Sequence, residues 1–145
     1  MERQGQATLT AANLALLDTS VYIDNLRSGR FKQEILDLKF IVRCSAVVLA
    51  ELARGARSRE MKRFVDGLAR NLRVIAPTER DWIESGKIVS HLVVEHGYDL
   101  HKTREIHFDV LIALAAKRIG AFLITTNVKD FSAIQRYVDF ELACW

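Results

Sequence analysis

The 145 residues carry 21 basic and 18 acidic side chains, a formal charge of +3, and half of them are hydrophobic. That size and mix fit one domain with an ordinary core and exclude a disordered tail. The longest apolar runs, such as Ala46–Ala50, are too short to span a bilayer, so no membrane-spanning helix is expected.

The leader "MERQGQATLTAAN" lacks the basic start and apolar stretch of a signal peptide. It reads as a polar extension, residues 1–13, ahead of a single domain over 14–145, in a cytoplasmic protein. "LALLD", Leu14–Asp18, is a continuous apolar run ending in an acid, the pattern of a buried parallel strand. "TSVYIDNLRSG" follows as a short helix ending in Gly. Residues Phe31–Leu38 form a second amphipathic helix. A strand over about 40–44 leads to Ser45 as an N-cap, and Val48, Leu49, Leu52 and Ala53 fall at helical spacing after it. Another helix starts at Ser58, with Met61, Phe64, Val65 and Leu68 on its apolar face. "RVIAPT" is a strand and turn, and Thr78 begins a long helix that ends near Gly97. The polar stretch "YDLHKTREIH" reads as a loop, and "FDVLIALAAKRIG" as a helix apolar nearly all round and therefore central. "AFLIT" is a strand, "TNVKDFSAIQRY" a turn and short helix, and "VDFEL" a last short strand. Strands alternating with helices predict an α/β layered fold with a mostly parallel sheet, whose ligands sit at the carboxyl ends of the strands.

Four acids stand out against that frame. Asp18 ends the first strand, and Asp130 lies just past "AFLIT". Glu51 sits among Ala50, Leu52 and Ala53, and Asp109 is flanked by Phe108, Val110, Leu111 and Ile112, opening the apolar helix. A carboxylate in apolar company is costly unless it is paired, hydrogen-bonded or metal-bound. Taken singly, each acid reads as a helix cap or a salt-bridge partner before it reads as a ligand, and only the joint pattern favours a site. Converging in one cleft they would repel, and a hard divalent cation such as Mg²⁺ or Mn²⁺ would remove that conflict. His91, His96, His101 and His107 have no zinc-site spacing. Cys44 and Cys144 are far apart and read as reduced thiols.

The segments "LLDTSVYID" (16–24), "SAVVLAELARGA" (45–56) and "FDVLIALAAKRIGAFLITTNVKDF" (108–131), with the helix start at Trp82–Gly86, resemble a PIN domain, specifically the VapC-type toxins. The resemblance implies a three-layer α/β/α fold and a metal-dependent endoribonuclease using Mg²⁺ or Mn²⁺. By that resemblance Asp18, Glu51, Asp109 and Asp130 are the catalytic acids and metal ligands, and Asp18 and Asp109 are the main direct ones. Thr19, Thr126 and Asn127 would support them by hydrogen bonding, and Phe131 would anchor the turn to the core. The polar leader and Gly97–His107 fall outside the pattern.

The same resemblance implies a VapB-like antitoxin that inhibits the enzyme, and a homodimer within a larger toxin–antitoxin complex. Apolar Tyr22, Ile23, Leu26, Ile35 and Leu36, near the N-terminus, offer surface for such contacts or serve as ordinary core. Setting the four site acids aside leaves 21 bases against 14 acids, a balance suited to an RNA substrate. Arg54, Arg57, Arg59, Lys62 and Arg63 cluster just beyond Glu51 and either track the phosphate backbone or form a solvated helix face. Arg43, Lys117, Arg118 and Lys129 are weaker candidates. Two rivals are an RNA-processing or decay nuclease of the same fold without an antitoxin, and a Mg²⁺-binding receiver-like module. The receiver reading lacks an acid pair after the first strand and a Lys–Pro after a late strand.

Overall fold

In a computed structural model that describes residues 13–145, the apolar run after Asn13 becomes the central strand of a five-stranded sheet. Strand β1 (Leu14–Leu17) pairs with β2 (Ile41–Ser45) on one side and with β4 (Ala121–Thr125) on the other. Strand β3 (Val74–Ile75) flanks β2, and β5 (Glu141–Cys144) flanks β4. The order is β3-β2-β1-β4-β5, and every pairing is parallel. A strand covered on both faces has to be apolar throughout, and Ala15, Leu16 and Leu17 are all buried.

Helices α1 (Thr19–Ser28) and α2 (Lys32–Leu36) join β1 to β2, and α3 (Ala46–Gly55) and α4 (Arg59–Asn71) join β2 to β3. Helices α5 (Glu79–His96) and α6 (Leu100–Ile119) lead to β4, and α7 (Val128–Ile134) leads to β5. The chain moves outward from β1 to β3, then recrosses β1 to build the other half. Right-handed crossovers running in opposite directions put α1–α4 on one face and α5–α7 on the other. The result is the α/β/α sandwich expected, with the sheet wholly parallel.

Three helix starts are held by the side chains the sequence nominated. Ser45 Oγ accepts from the amides of Val47 and Val48 at 3.1 and 3.3 Å, and Ser58 Oγ from Met61 at 3.1 Å. Thr78 and Asp81 form a reciprocal capping box. Asp81 also takes Arg118 Nε at 3.1 Å, tying the start of α5 to the end of α6. Arg118, weighed above as an RNA contact, is thus engaged within the fold.

Helix α6 departs from expectation. The stretch read as a loop is helical from Leu100, because Asp99 caps it by accepting from the Lys102 amide at 2.8 Å. Its polar residues divide between the solvent face of a helix and the side where Lys102 meets Asp130, and Asp109 lies mid-helix instead of opening it. His107 is accordingly a helix residue, 2.9 Å from Ser85 Oγ. Farther along, Val110–Ala116 is buried without a break, since α6 packs against the sheet, α5 and α7. Gly120 then takes φ 69°, where a side chain would be strained, and turns the chain into β4.

Of the apolar residues near the N-terminus, Tyr22 is core, edge-on to Phe64 at 6.0 Å, while Leu26 and Leu36 are exposed. Cys44 is buried and Cys144 exposed, and both are free. Among the described residues no helix is long and apolar enough to cross a membrane. The leader read as a polar extension lies, up to residue 12, outside the described residues.

Candidate active site

The strand order reverses at β1, so the crevice between the carboxyl ends of β1 and β4 is the place where an open parallel sheet binds ligands. Register fixes what stands there. Leu17 pairs with Ile124, and the Asp18 amide continues the ladder to Ile124 O at 2.8 Å. Asp18 and Thr125 are therefore side by side, and Thr125 Oγ1 donates to Asp18 Oδ2 at 2.8 Å. Ser20 Oγ donates to the same oxygen, also at 2.8 Å. Asp18 is buried, and burial raises its pKa against the lowering effect of the Ser20 and Thr125 hydroxyls and the Thr19 and Ser20 amides.

Glu51 comes from the second turn of α3, whose start the buried Ser45 cap holds at the end of β2. Thr19 Oγ1 donates to Glu51 Oε1 at 2.6 Å, linking the residue beside Asp18 to the acid that follows β2. Burial raises the Glu51 pKa, opposed by that hydrogen bond and reinforced by the Asp18 charge. Asp109 is half-buried on α6 and has no hydrogen-bond partner among the described residues. Its pKa stands well above the ordinary carboxylate range, first through desolvation and then through the charges of Asp18, Glu51 and Asp130. Asp130, in the first turn of α7, is buried, and its Oδ2 accepts from Lys102 Nζ and, at 3.0 Å, from Asn127 Nδ2. Phe131 beside it is fully buried.

Asp18, Glu51, Asp109 and Asp130 line one cleft of about 530 Å³, with Thr19, Asn127, Arg54 and Phe108. Among the described residues no three His, Cys, Asp or Glu side chains stand close enough together to hold a metal ion between them. The donor chemistry nonetheless suits a hard cation. Mg²⁺ is commonly held by one or two carboxylates with water in its other positions, and here four mutually repelling carboxylates share one opening. Asp130 has Oδ2 committed to Lys102 and Asn127, which leaves Oδ1 for an ion or its water.

Among the supporting residues the pattern differs in detail from the expectation. The hydroxyls on Asp18 belong to Ser20 and Thr125, while Thr126 offers its backbone amide to Ser20 Oγ at 3.2 Å. Asn127 does hold Asp130. Of the basic cluster, Arg54 lines the cleft, 5.6 Å over the Phe108 ring, while Arg57, Arg59, Lys62 and Arg63 are exposed beyond it. Ser20, Thr125, Lys102 and Glu105 were not singled out from the sequence. The signal for the first two was their place at strand ends. For Lys102 and Glu105 it was the i, i+3, i+7 spacing to Asp109, hidden once the segment was read as a loop.

A family model described as the PIN domain matches residues 15–137. DNA-bound VapBC from Salmonella typhimurium shares 22% identity over 92% of this chain and 98% of that one, with a TM-score of 0.66. VapBC-1 from nontypeable Haemophilus influenzae shares 26% over 91% and 98%, with a TM-score of 0.65. FitAcB from Neisseria gonorrhoeae shares 22% over 88% and 95%, with a TM-score of 0.64. Comparison with curated proteins gives no match.

Proposed function

From the premise that this chain belongs to the PIN-domain family, we propose that it is a metal-dependent endoribonuclease of the VapC type, restrained by a VapB-like antitoxin. The observation that carries the reading is the meeting of Asp18, Glu51, Asp109 and Asp130 in one cleft at the sheet's switch point. Likeness to toxin–antitoxin proteins over nearly the whole chain supports the antitoxin and favours the toxin over a free-standing processing nuclease. The same reading takes residues 14–145 as one PIN domain acting as a homodimer.

Asp18 and Asp109 are the residues proposed to hold Mg²⁺ or Mn²⁺, with Glu51 and Asp130 completing the set directly or through water. When bound, the ion supplies charge neutralisation and Lewis acidity at the phosphodiester. Thr19 fixes the Glu51 carboxylate, which is then placed to take a proton from the attacking water. Ser20 and Thr125 hold one oxygen of Asp18 and leave the other to the cleft. Arg54 meets the substrate phosphate at the rim.

The test is cleavage of single-stranded RNA by purified protein freed of any antitoxin. Activity is expected with Mg²⁺ or Mn²⁺ and lost in EDTA. Asp18→Asn or Asp109→Asn should lower it by more than about 100-fold, beyond the usual cost of losing a residue that only orients a ligand. Undiminished activity in EDTA, or in either variant, overturns the assignment.

A further inference from the structure

The segment Gly97–His107 fell outside every motif, yet it walls a second recess of about 330 Å³ that meets the catalytic cleft at Asn127 and Asp130. Its other walls are His96, Tyr98, Lys102 and Lys129. Resting on the nuclease reading, we propose that this recess is a subsite for one unpaired RNA nucleotide, its base on the His96–Tyr98 platform and its phosphate on Lys102 and Lys129.

Three observations carry this. The rings of His96 and Tyr98 are already stacked, 5.1 Å apart and 9° from parallel. Gly97 between them ends α5 with φ 66°, a conformation that suits glycine and brings residues two apart onto one platform. A preset aromatic surface accepts any base, because every base has a π-face, and it loses little side-chain entropy on binding. Charge is the second observation. Lys102 spends one of its three donors on Asp130, so two remain, and its Nζ lies 5.9 Å from the Tyr98 ring centre. Lys129 is exposed and makes no ion pair among the described residues. Among the described residues that line the recess Asp130 is the one acid, and Lys102 pairs with it, while Glu95 stands 3.5 Å from His96 Nε2. Size is the third. The volume is at the low end for small-molecule pockets and suits a single base. A base in a duplex stays stacked and paired, so only a single strand can reach the platform.

The consequence is that an RNA spanning the carboxylates would be gripped on one side of the cut, by stacking as well as by charge. Tyr98→Leu keeps an apolar side chain, though a smaller one, and removes the π-face, Tyr98→Phe keeps the ring, and Lys129→Ala changes only an exposed side chain. For cleavage of a short single-stranded RNA in Mg²⁺, Tyr98→Leu should raise KM about 5- to 100-fold with kcat within about threefold, and Tyr98→Phe should match the parent. Binding of the same RNA in Ca²⁺, followed by fluorescence anisotropy, should weaken in parallel for Tyr98→Leu and to a lesser degree for Lys129→Ala. A parent that binds single-stranded RNA but does not cut it sinks the nuclease reading alone, and the binding arm still decides the subsite. Equal Kd for parent and Tyr98→Leu, equal loss in Tyr98→Phe, or no RNA binding by the parent overturns the subsite.

Discussion

At the scale of single residues, Asp109 concentrates the tension in the site. It has no donor of its own among the described residues, and burial together with three neighbouring carboxylates raises its pKa well above the usual range. A folded-state pKa above the unfolded one means the group favours folding while protonated and loses that contribution as pH rises through the folded value. Metal-free protein at neutral pH therefore carries a penalty that is absent at acid pH. Asp109→Asn should raise Tm by a few degrees in EDTA at pH 7, and the gain should shrink toward pH 4. Mg²⁺ should raise the Tm of the parent by stabilising the folded state, and do so far less for the variant. A variant that melts below the parent at both pH values contradicts this account. Asp109 was legible as an acid in apolar company. Its lack of a donor was not, because that depends on which side chains α1, α3 and α7 turn toward it.

Elements obey local rules to different degrees, and their caps measure the difference. Ser45 and Ser58 each accept from amides of the helix that follows, but Ser45 is buried and Ser58 exposed. Removing a cap costs about 0.5–2 kcal/mol, and the cost is greater where the orphaned amides cannot turn to water. Urea denaturation should accordingly find Ser45→Ala less stable by about 1–2 kcal/mol and Ser58→Ala by about 0.5–1 kcal/mol. The same rules explain what the sequence made readable. The Ser45, Ser58 and Thr78 starts had a capping residue directly before an apolar period, and all three are N-caps. Helix α6 has its cap, Asp99, but its first two turns carry mostly polar side chains, so the apolar period begins late. Lys102 and Glu105, which stand on its cleft side, were lost with those turns.

Across the whole molecule, the alternation of strands and helices was enough to predict the layered parallel architecture, while the register between β1 and β4 came only with pairing. That register sets Thr125, not Thr126, against Asp18. Charge shows the same division between what composition reveals and what folding adds. Composition gave 21 bases and 18 acids, and the fold gathers four of those acids into one cleft with Arg54 at its edge. Arg57, Arg59, Lys62 and Arg63 extend outward from it along the α3–α4 corner as exposed side chains without ion pairs among the described residues. An RNA strand entering the cleft from that side would displace counterions at each contact, so log K for binding should fall linearly with log salt by about 0.7 per phosphate contact. Replacing Arg57, Arg59, Lys62 and Arg63 by Ser should weaken RNA binding in Ca²⁺ and flatten the salt slope by about 1.4–2.8, corresponding to two to four lost contacts. Arg57 donates to Arg54 O at 2.9 Å at the end of α3, and the other three side chains are exposed without ion pairs among the described residues, so Tm should fall by only a few degrees. An unchanged slope would assign this corner to plain solvation and leave Arg54, Lys102 and Lys129 as the cations that meet the strand.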